Sequence, residues 1–464
     1  MGMWTKAFTW LTIGIAAALL LPVLAMDGMF MDGMLYSAVA HNLANGYGSF
    51  WFPRFSEMNV AGLETFHEHP PLIFGMQALW FQLFGSAFWV ERAYSLLMAI
   101  ITAGLIALIW RGWMHDRSEK QLAWLPLLLW IIMPTVHWCC HNNMMENTMA
   151  VFTTAAVLFS VKAREKMFWP GHLLAGLMVF LAVLAKGIPG LFPIAAPAFI
   201  AMAATGRLGR GIGGSLVMLL TVAAAFGLLM LDLDARSALT IHVEKRLLHR
   251  VAAVPTVDHR WESLEMLFNQ LLGPLIILAL VAFFFRNGTK DERPWKNALA
   301  MIFTGLAGVF PLMLTLVQKS FYMMPALPVI AIGLALWIAP AVQRMLMKAS
   351  EKVIKLVRWS GIAITAGAMV AAIMLFGEPH RDADMLHDVD LIGARLPDRA
   401  LIGVPEEMWN EWNLQTYFMR RHSISIAHSI GTKWFLTKKN DRPEMDARPV
   451  ELDLRVYELW EIPD

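Results

Sequence analysis

Apolar stretches approaching the ~20 residues that a helix needs to cross a bilayer recur along most of the chain. They lie near 7–26, 93–110, 122–138, 147–162, 170–185, 188–204, 211–231, 264–285, 298–317, 321–340 and 359–376, and predict about eleven transmembrane helices. The first is too long, and lacks the cleavage site, to be a removed signal peptide, so it reads as a retained anchor. Composition agrees. Charged residues are 16% of the chain against about 25% in soluble domains, and hydrophobic residues are 57%. Mean hydropathy is +0.52. A water-soluble enzyme, a disordered chain and a collagen-like fibre are excluded. A net charge of +2 gives no case for a nucleic-acid partner. The two cysteines, Cys139 and Cys140, are adjacent and fit neither a zinc-site nor a redox spacing.

Lys and Arg in the connecting loops set the orientation. With the N-terminus cytoplasmic, one set of short loops carries 18 basic residues, among them Arg111, Lys162, Arg164, Arg207, Arg210 and Arg344. The opposite loops are longer and carry nine. Those longer loops and the C-terminal tail are therefore expected outside the cytoplasm. Leu72–Phe88 is apolar enough for a short span, but a crossing there would invert every later loop, so it is expected to lie in the interface as a juxtamembrane helix. After Gly377 the chain becomes charged, with short apolar runs at 400–404, 423–427, 434–437 and 455–462 and helical patterns near 384–395 and 408–420. The expected division is a membrane domain over 1–376 and a small α/β extracytoplasmic domain over 377–464. No internal repeat is visible, which argues against an inverted-repeat transporter.

This topology gathers unusual residues on the outer side. The first long loop carries Met31-Asp32-Gly33-Met34-Leu35-Tyr36 and then His67-Glu68-His69-Pro70-Pro71-Leu72. Glu146 and His141 follow in a short outer loop, and Lys186 sits in Ala185-Lys186-Gly187-Ile188-Pro189-Gly190 between two apolar stretches. Lys319 opens another span in Lys319-Ser320-Phe321-Tyr322, and the 232–263 loop adds Arg246, His249 and Arg250. A charge inside hydrocarbon costs several kcal/mol, so such residues gather in polar cavities or at the interface. Snorkelling to the headgroups explains either lysine alone; it does not explain the whole set on one face. Carboxylates supply a general base or ligands for a divalent ion, and lysines and arginines neutralise a phosphate leaving group. The set fits group transfer from a lipid phosphate to an acceptor hydroxyl or phosphate. Blander readings hold elsewhere. Asp27 reads as a helix cap, His137 as an interfacial histidine, and the Arg246/His249/Arg250 stripe equally as a surface helix on anionic headgroups. His67 and His69 are too close together for one loop to complete a zinc site, so a metal would need Glu146 or His141 as well.

At these residues the sequence resembles the lipid-phosphate-sugar-dependent glycosyltransferases of the GT-C superfamily, in the branch of the lipid A aminoarabinose transferase and the protein O-mannosyltransferases. The resemblance covers roughly residues 1–340. It rests on Asp32 and Tyr36 in D-x-x-x-Y, on Glu68 before Pro70-Pro71-Leu72, and on the Gly85…Glu91-Arg92 passage. Ala185–Gly190 and Lys319…Phe321-Tyr322…Pro325 complete it. The chain departs from the aminoarabinose-transferase pattern at His69, where that branch has Lys; the protein mannosyltransferases have His-Pro-Pro. The resemblance implies an all-α GT-C membrane fold in which Asp32, Glu68 and Glu146 are the catalytic carboxylates. It further implies that Lys186, Lys319, Arg246, Arg250 and His69 bind the donor phosphate and that Tyr36 and Tyr322 contact substrate.

The reaction expected is inverting sugar transfer from a polyprenyl-phosphate carrier, in a bacterial inner membrane with the site facing the periplasm. The acceptor would be lipid A or another glycolipid, or, in the alternative, a protein hydroxyl. No cofactor is required by the sequence, and a divalent metal is compatible with the carboxylates. A lipid-linked-sugar flippase is the rival from another class.

Overall fold

The computed structural model describes residues 2–58, 65–164, 167–204, 206–244, 255–284, 294–428 and 431–463. The chain divides into two compact units, one of residues 1–22 with 95–374, the other of residues 23–94 with 375–464.

Each of the eleven apolar stretches is helical over most of its length. Among the described residues, eight helices are long and apolar enough to cross a membrane: Gly2–Ala25, Val90–Trp113, Phe168–Lys186, Leu208–Leu229, Glu262–Phe283, Trp295–Leu314, Ser320–Lys348 and Glu351–Met374. A ninth is counted if Ser118–Ile131 and Pro134–His141, bent by 74°, form one broken span. The expected count of eleven exceeds this for a physical reason. Met145–Ala163 has 19 residues, but it spends several of them on Glu146, Asn147, Thr148, Thr153, Thr154 and Ser160, all buried. Ile188–Ala204 is short and opens as a 3-10 turn around Pro189 and Pro193.

Within the larger unit, Met145–Ala163, Phe168–Lys186 and Leu208–Leu229 share a core of Ala156, Ala175, Val179, Met218 and Val222. Small residues set its close approaches. Gly14 and Gly361 face one another across the first and last spans, and a Cβ on Gly14 would lie 2.6 Å from the Gly361 carbonyl oxygen.

The second unit carries a five-stranded sheet of order β2-β1-β3-β5-β4. Here β1 is Leu401–Gly403, β2 Ser425–Ala427, β3 Trp434–Lys438, β4 Arg448–Pro449 and β5 Tyr457–Glu461. β1 runs parallel to β2 and β3, and β5 antiparallel to β3 and β4. Four of the strands fall on the four apolar runs read from the sequence, and β4, two exposed residues long, carries no such signal. Ala383–Arg395 and Trp412–His422 are the helices of this layer. Its core does not close on the terminal segment alone: Met29 and Met34 pack with Ile402, Tyr417, Phe418 and Leu459. Leu72–Phe84, about 20 Å of helix, is too short to cross and matches the juxtamembrane expectation.

Charge pairs hold the two stretches of this unit together. Arg420 donates to both carboxylate oxygens of Glu91, at 3.0 and 2.7 Å, and both groups are buried. Arg421 donates to Asp27 at 2.8 and 3.0 Å. Arg92 donates to the carbonyls of Val23, Met26 and Gly28, which closes the turn after the first helix.

His41 lies close to this clasp, with Nε2 2.8 Å from Ser86 Oγ. Burial, and then the charge of Arg420, pull its pKa from 6.5 down to about 4. Between those values the unfolded chain binds the extra proton, so the stabilisation is complete above pH 6.5 and is lost as pH falls toward 4. The loss reaches up to about 3 kcal/mol. The melting temperature of the purified protein should therefore fall between pH 7 and pH 5, and His41→Gln should flatten part of that slope. Identical acid slopes in the two proteins would contradict the assignment.

Candidate functional site

In the larger unit the site begins with two helices of 19 residues, Met145–Ala163 and Phe168–Lys186, separated in sequence by residues 164–167 and packed side by side. Antiparallel helices of equal length bring the first turn of one beside the last turn of the other. Glu146 is in that first turn and Lys186 is the final residue. Each charge also suits its helix end, an acid at the N-terminus and a base at the C-terminus. Gly187 stops the second helix at φ +92°, a conformation that favours glycine.

The outcome is a buried ion pair: Lys186 Nζ donates to Glu146 Oε1 at 2.5 Å. Glu146 is 0% exposed and Lys186 8%. Glu146 Oε2 has no hydrogen-bond partner among the described residues, and neither has Asn147 Oδ1. Asn147 is itself fixed, its amide donating to Ser95 O at 2.7 Å and Ser95 Oγ at 2.9 Å. Aromatic rings line the pair. Lys186 Nζ is 5.6 Å from the Tyr322 ring centre and 5.8 Å from that of Phe321, and Trp138 stacks on Phe321 at 5.6 Å.

Lys319 precedes the Ser320–Ala326 turn and is exposed. The buried Gln318 beside it anchors this stretch. Its side-chain amide donates to Arg260 O at 3.1 Å and Thr315 O at 2.8 Å, and its backbone N–H to Thr256 Oγ1 at 2.9 Å. The Ser263 hydroxyl donates to its Oε1. The start of the Glu262–Phe284 helix is thereby tied to the segment that presents Lys319. Arg246, His249 and Arg250 lie outside the described residues.

The second unit holds the other candidates. Asp32 is half-buried in the first turn of Met31–Ala44, and Tyr36, one turn on, is buried. Tyr36 Oη is 3.1 Å from His69 Nε2, with the rings edge-to-face at 5.4 Å. The two motifs of the first loop, D-x-x-x-Y and E-H-P-P-L, thus meet through a buried hydrogen bond, and Glu68 stands half-buried beside it in sequence. His67 takes a different partner, Thr65 Oγ1 at 2.6 Å. Asp27, expected as a cap, accepts from the Gly28 N–H and is the counter-charge of Arg421.

His67, His69 and His141 are each engaged in hydrogen bonds, His141 with Leu19 O at 2.7 Å. Among the described residues, the group with ligand spacing is instead His259, Glu262 and Glu265, whose candidate atoms lie within 4.8 Å of one another. His259 Nε2 is 3.5 Å from Glu262 Oε2 and 3.7 Å from Glu265 Oε1, the geometry of an exposed ion-pair cluster.

Sequence reasoning missed Asn147, Trp138 and Gln318. The first two adjoin His141 and Glu146 in a short polar stretch between apolar ones, which was the available signal. Gln318 gave none beyond its place next to Lys319.

The sequence profile of the family described as dolichyl-phosphate-mannose-protein mannosyltransferase matches residues 68–231, a stretch that contains Glu68, Glu146 and Lys186. No curated protein matches the chain. Among solved structures, ArnT from Cupriavidus metallidurans bound to undecaprenyl phosphate is similar with a TM-score of 0.68 at 15% identity. The match covers 98% of this chain and 97% of that one. The same protein in its apo state gives 0.69 at 14% identity, covering 97% of each chain. The apo oligosaccharyltransferase of Archaeoglobus fulgidus gives 0.53 at 11% identity, over 93% of this chain and 69% of that one. The chain shares the membrane fold of these proteins, with a small C-terminal domain, as expected from the motifs.

Breaking the Glu146–Lys186 pair from one side strands a buried charge. Lys186→Ala should cost about 3–5 kcal/mol, and the isosteric double replacement Glu146→Gln/Lys186→Met should recover most of it. Thermal unfolding of the three proteins checks this. A double variant no more stable than Lys186→Ala would show that the pair is not the source of the loss.

Proposed function

We propose that this protein is an inverting membrane glycosyltransferase that moves a sugar from a polyprenyl-phosphate carrier to an acceptor outside the cytoplasm. The observation that carries the reading is the buried Glu146–Lys186 pair beside Tyr322, at helix ends, in a chain whose fold matches ArnT nearly end to end. The undecaprenyl phosphate of that related structure supports the carrier class.

In the proposed reaction an acceptor hydroxyl oxygen attacks the anomeric carbon of the sugar. The bond from that carbon to the phosphate oxygen breaks, and one displacement inverts the centre. Asp32 takes or orients the hydroxyl proton, and the bond pair leaves with the polyprenyl phosphate. Lys186 and Lys319 neutralise the charge that develops on the departing phosphate, with Arg246 and Arg250 as further cations and Glu68 and Glu146 as accompanying carboxylates. Tyr36 and Tyr322 contact substrate, and His69 is assigned to positioning Tyr36 beside its role toward phosphate. The setting proposed is a bacterial inner membrane with the site open to the periplasm, in keeping with the excess of Lys and Arg in the other set of loops.

The acceptor proposed is lipid A or another glycolipid. A protein hydroxyl is the second reading, favoured by the mannosyltransferase profile and by His69 before Pro70-Pro71.

The test is transfer from radiolabelled polyprenyl-phosphate sugars into membrane extracts. Wild type should move label into a lipid or protein fraction, which separates the two acceptor readings. Asp32→Asn should lower the rate roughly 10²–10⁴-fold, and Lys186→Ala roughly 10²–10³-fold. Donor left unconsumed by folded wild type, with labelled lipid instead appearing across the membrane of a vesicle, would favour a flippase and overturn the reading.

A further inference from the structure

Lys186 stands in this structure already neutralised. Its ammonium is 2.5 Å from Glu146 Oε1. The carboxylate is fully buried, and Oε2 has no hydrogen-bond partner among the described residues to disperse its charge. A phosphate arriving at Lys186 therefore meets a cation and an anion together, with little water to screen either.

Two phosphates of different charge visit Lys186 if the proposed function, on which this inference rests, is right. The sugar donor is a phosphodiester with a single negative charge. The spent carrier is a phosphate monoester, which carries about −1.5 to −2 at pH 7 because its second pKa is near 6. Attraction to a fixed cation grows in proportion to the ligand's charge, whereas the cost of drying an ion grows with its square. A lone buried lysine attracts the doubly charged product about twice as strongly as the donor. A carboxylate beside it subtracts from the attraction in proportion to ligand charge, and so weighs most on the dianion.

We propose that Glu146 is a specificity-determining residue that makes the Lys186 site favour the monoanionic sugar phosphodiester over the dianionic polyprenyl monoester, and thereby helps expel the spent carrier. The residue is not needed to bear a proton or a metal in this role. It acts by charge and position, both of which the helix hairpin fixes.

The experiment is equilibrium binding to the full-length protein in nanodiscs at pH 8, using polyprenyl phosphate and its methyl phosphodiester of the same chain length. Wild type should bind the diester more tightly. Glu146→Gln should shift the ratio of the two dissociation constants roughly tenfold or more toward the monoester, and Glu146→Asp should keep the wild-type preference. Wild type binding the monoester as tightly as the diester would overturn the inference without recourse to any variant. So would an unchanged ratio in Glu146→Gln. Lys186→Ala is the separate arm. Undiminished binding of both ligands there overturns the phosphate site assigned to Lys186, whereas loss of both, with an unchanged ratio in Glu146→Gln, overturns the present inference alone.

Discussion

An ammonium and a carboxylate 2.5 Å apart, both buried, stabilise one another. In low dielectric an unpaired charge is costly, and the joint removal of two charges from water is repaid only where the geometry is fixed beforehand. Here two packed helices of equal length, the second stopped by Gly187, do the fixing. Its polar residues, from Glu146 to Ser160, make Met145–Ala163 less apolar than its neighbours. Its burial among Ala175, Val179 and Met218 follows, since a helix of that composition is stable inside protein and not against lipid.

The second unit solves a different problem. The terminal segment supplies most of its own core, from Leu386 to Leu459, and Met29 and Met34 from the chain that follows the first helix complete it. The arginines of Trp412–His422 then tie to Glu91 and Asp27, while Arg92 fills the carbonyls of the turn between them. The Met31–Ala44 helix, which carries Asp32 and Tyr36, is consequently held from several sides, and Tyr36 passes that order on to His69.

Much of this was legible in the sequence because it depends on local pattern. Apolar length gave the helices, alternating apolar runs gave four of the five strands, and a lysine interrupting an apolar stretch marked Lys186. What was not legible depends on distances between remote residues. Nothing in the local spacing says that Lys186 faces Glu146; that follows from two helices of equal length packed side by side. Arg420 and Arg421 look like ordinary basic residues at a helix end, and their partners are more than 300 residues away. The two residues of β4 are too few to show any period. Apolar length alone does not show the interior polar residues of 145–163 or the proline-rich opening of 188–204, which set these two stretches apart from the eight or nine helices among the described residues that are long and apolar enough to cross.

The central claim is that Lys186 holds the phosphate of a polyprenyl carrier. The most direct measurement is an electron-microscopy structure of the full-length protein with polyprenyl phosphate bound. The account predicts the phosphate within roughly 4 Å of Lys186 Nζ, an ion-pair distance, with Glu146 still at the lysine's other side. A phosphate seated away from both Lys186 and Lys319 would contradict it.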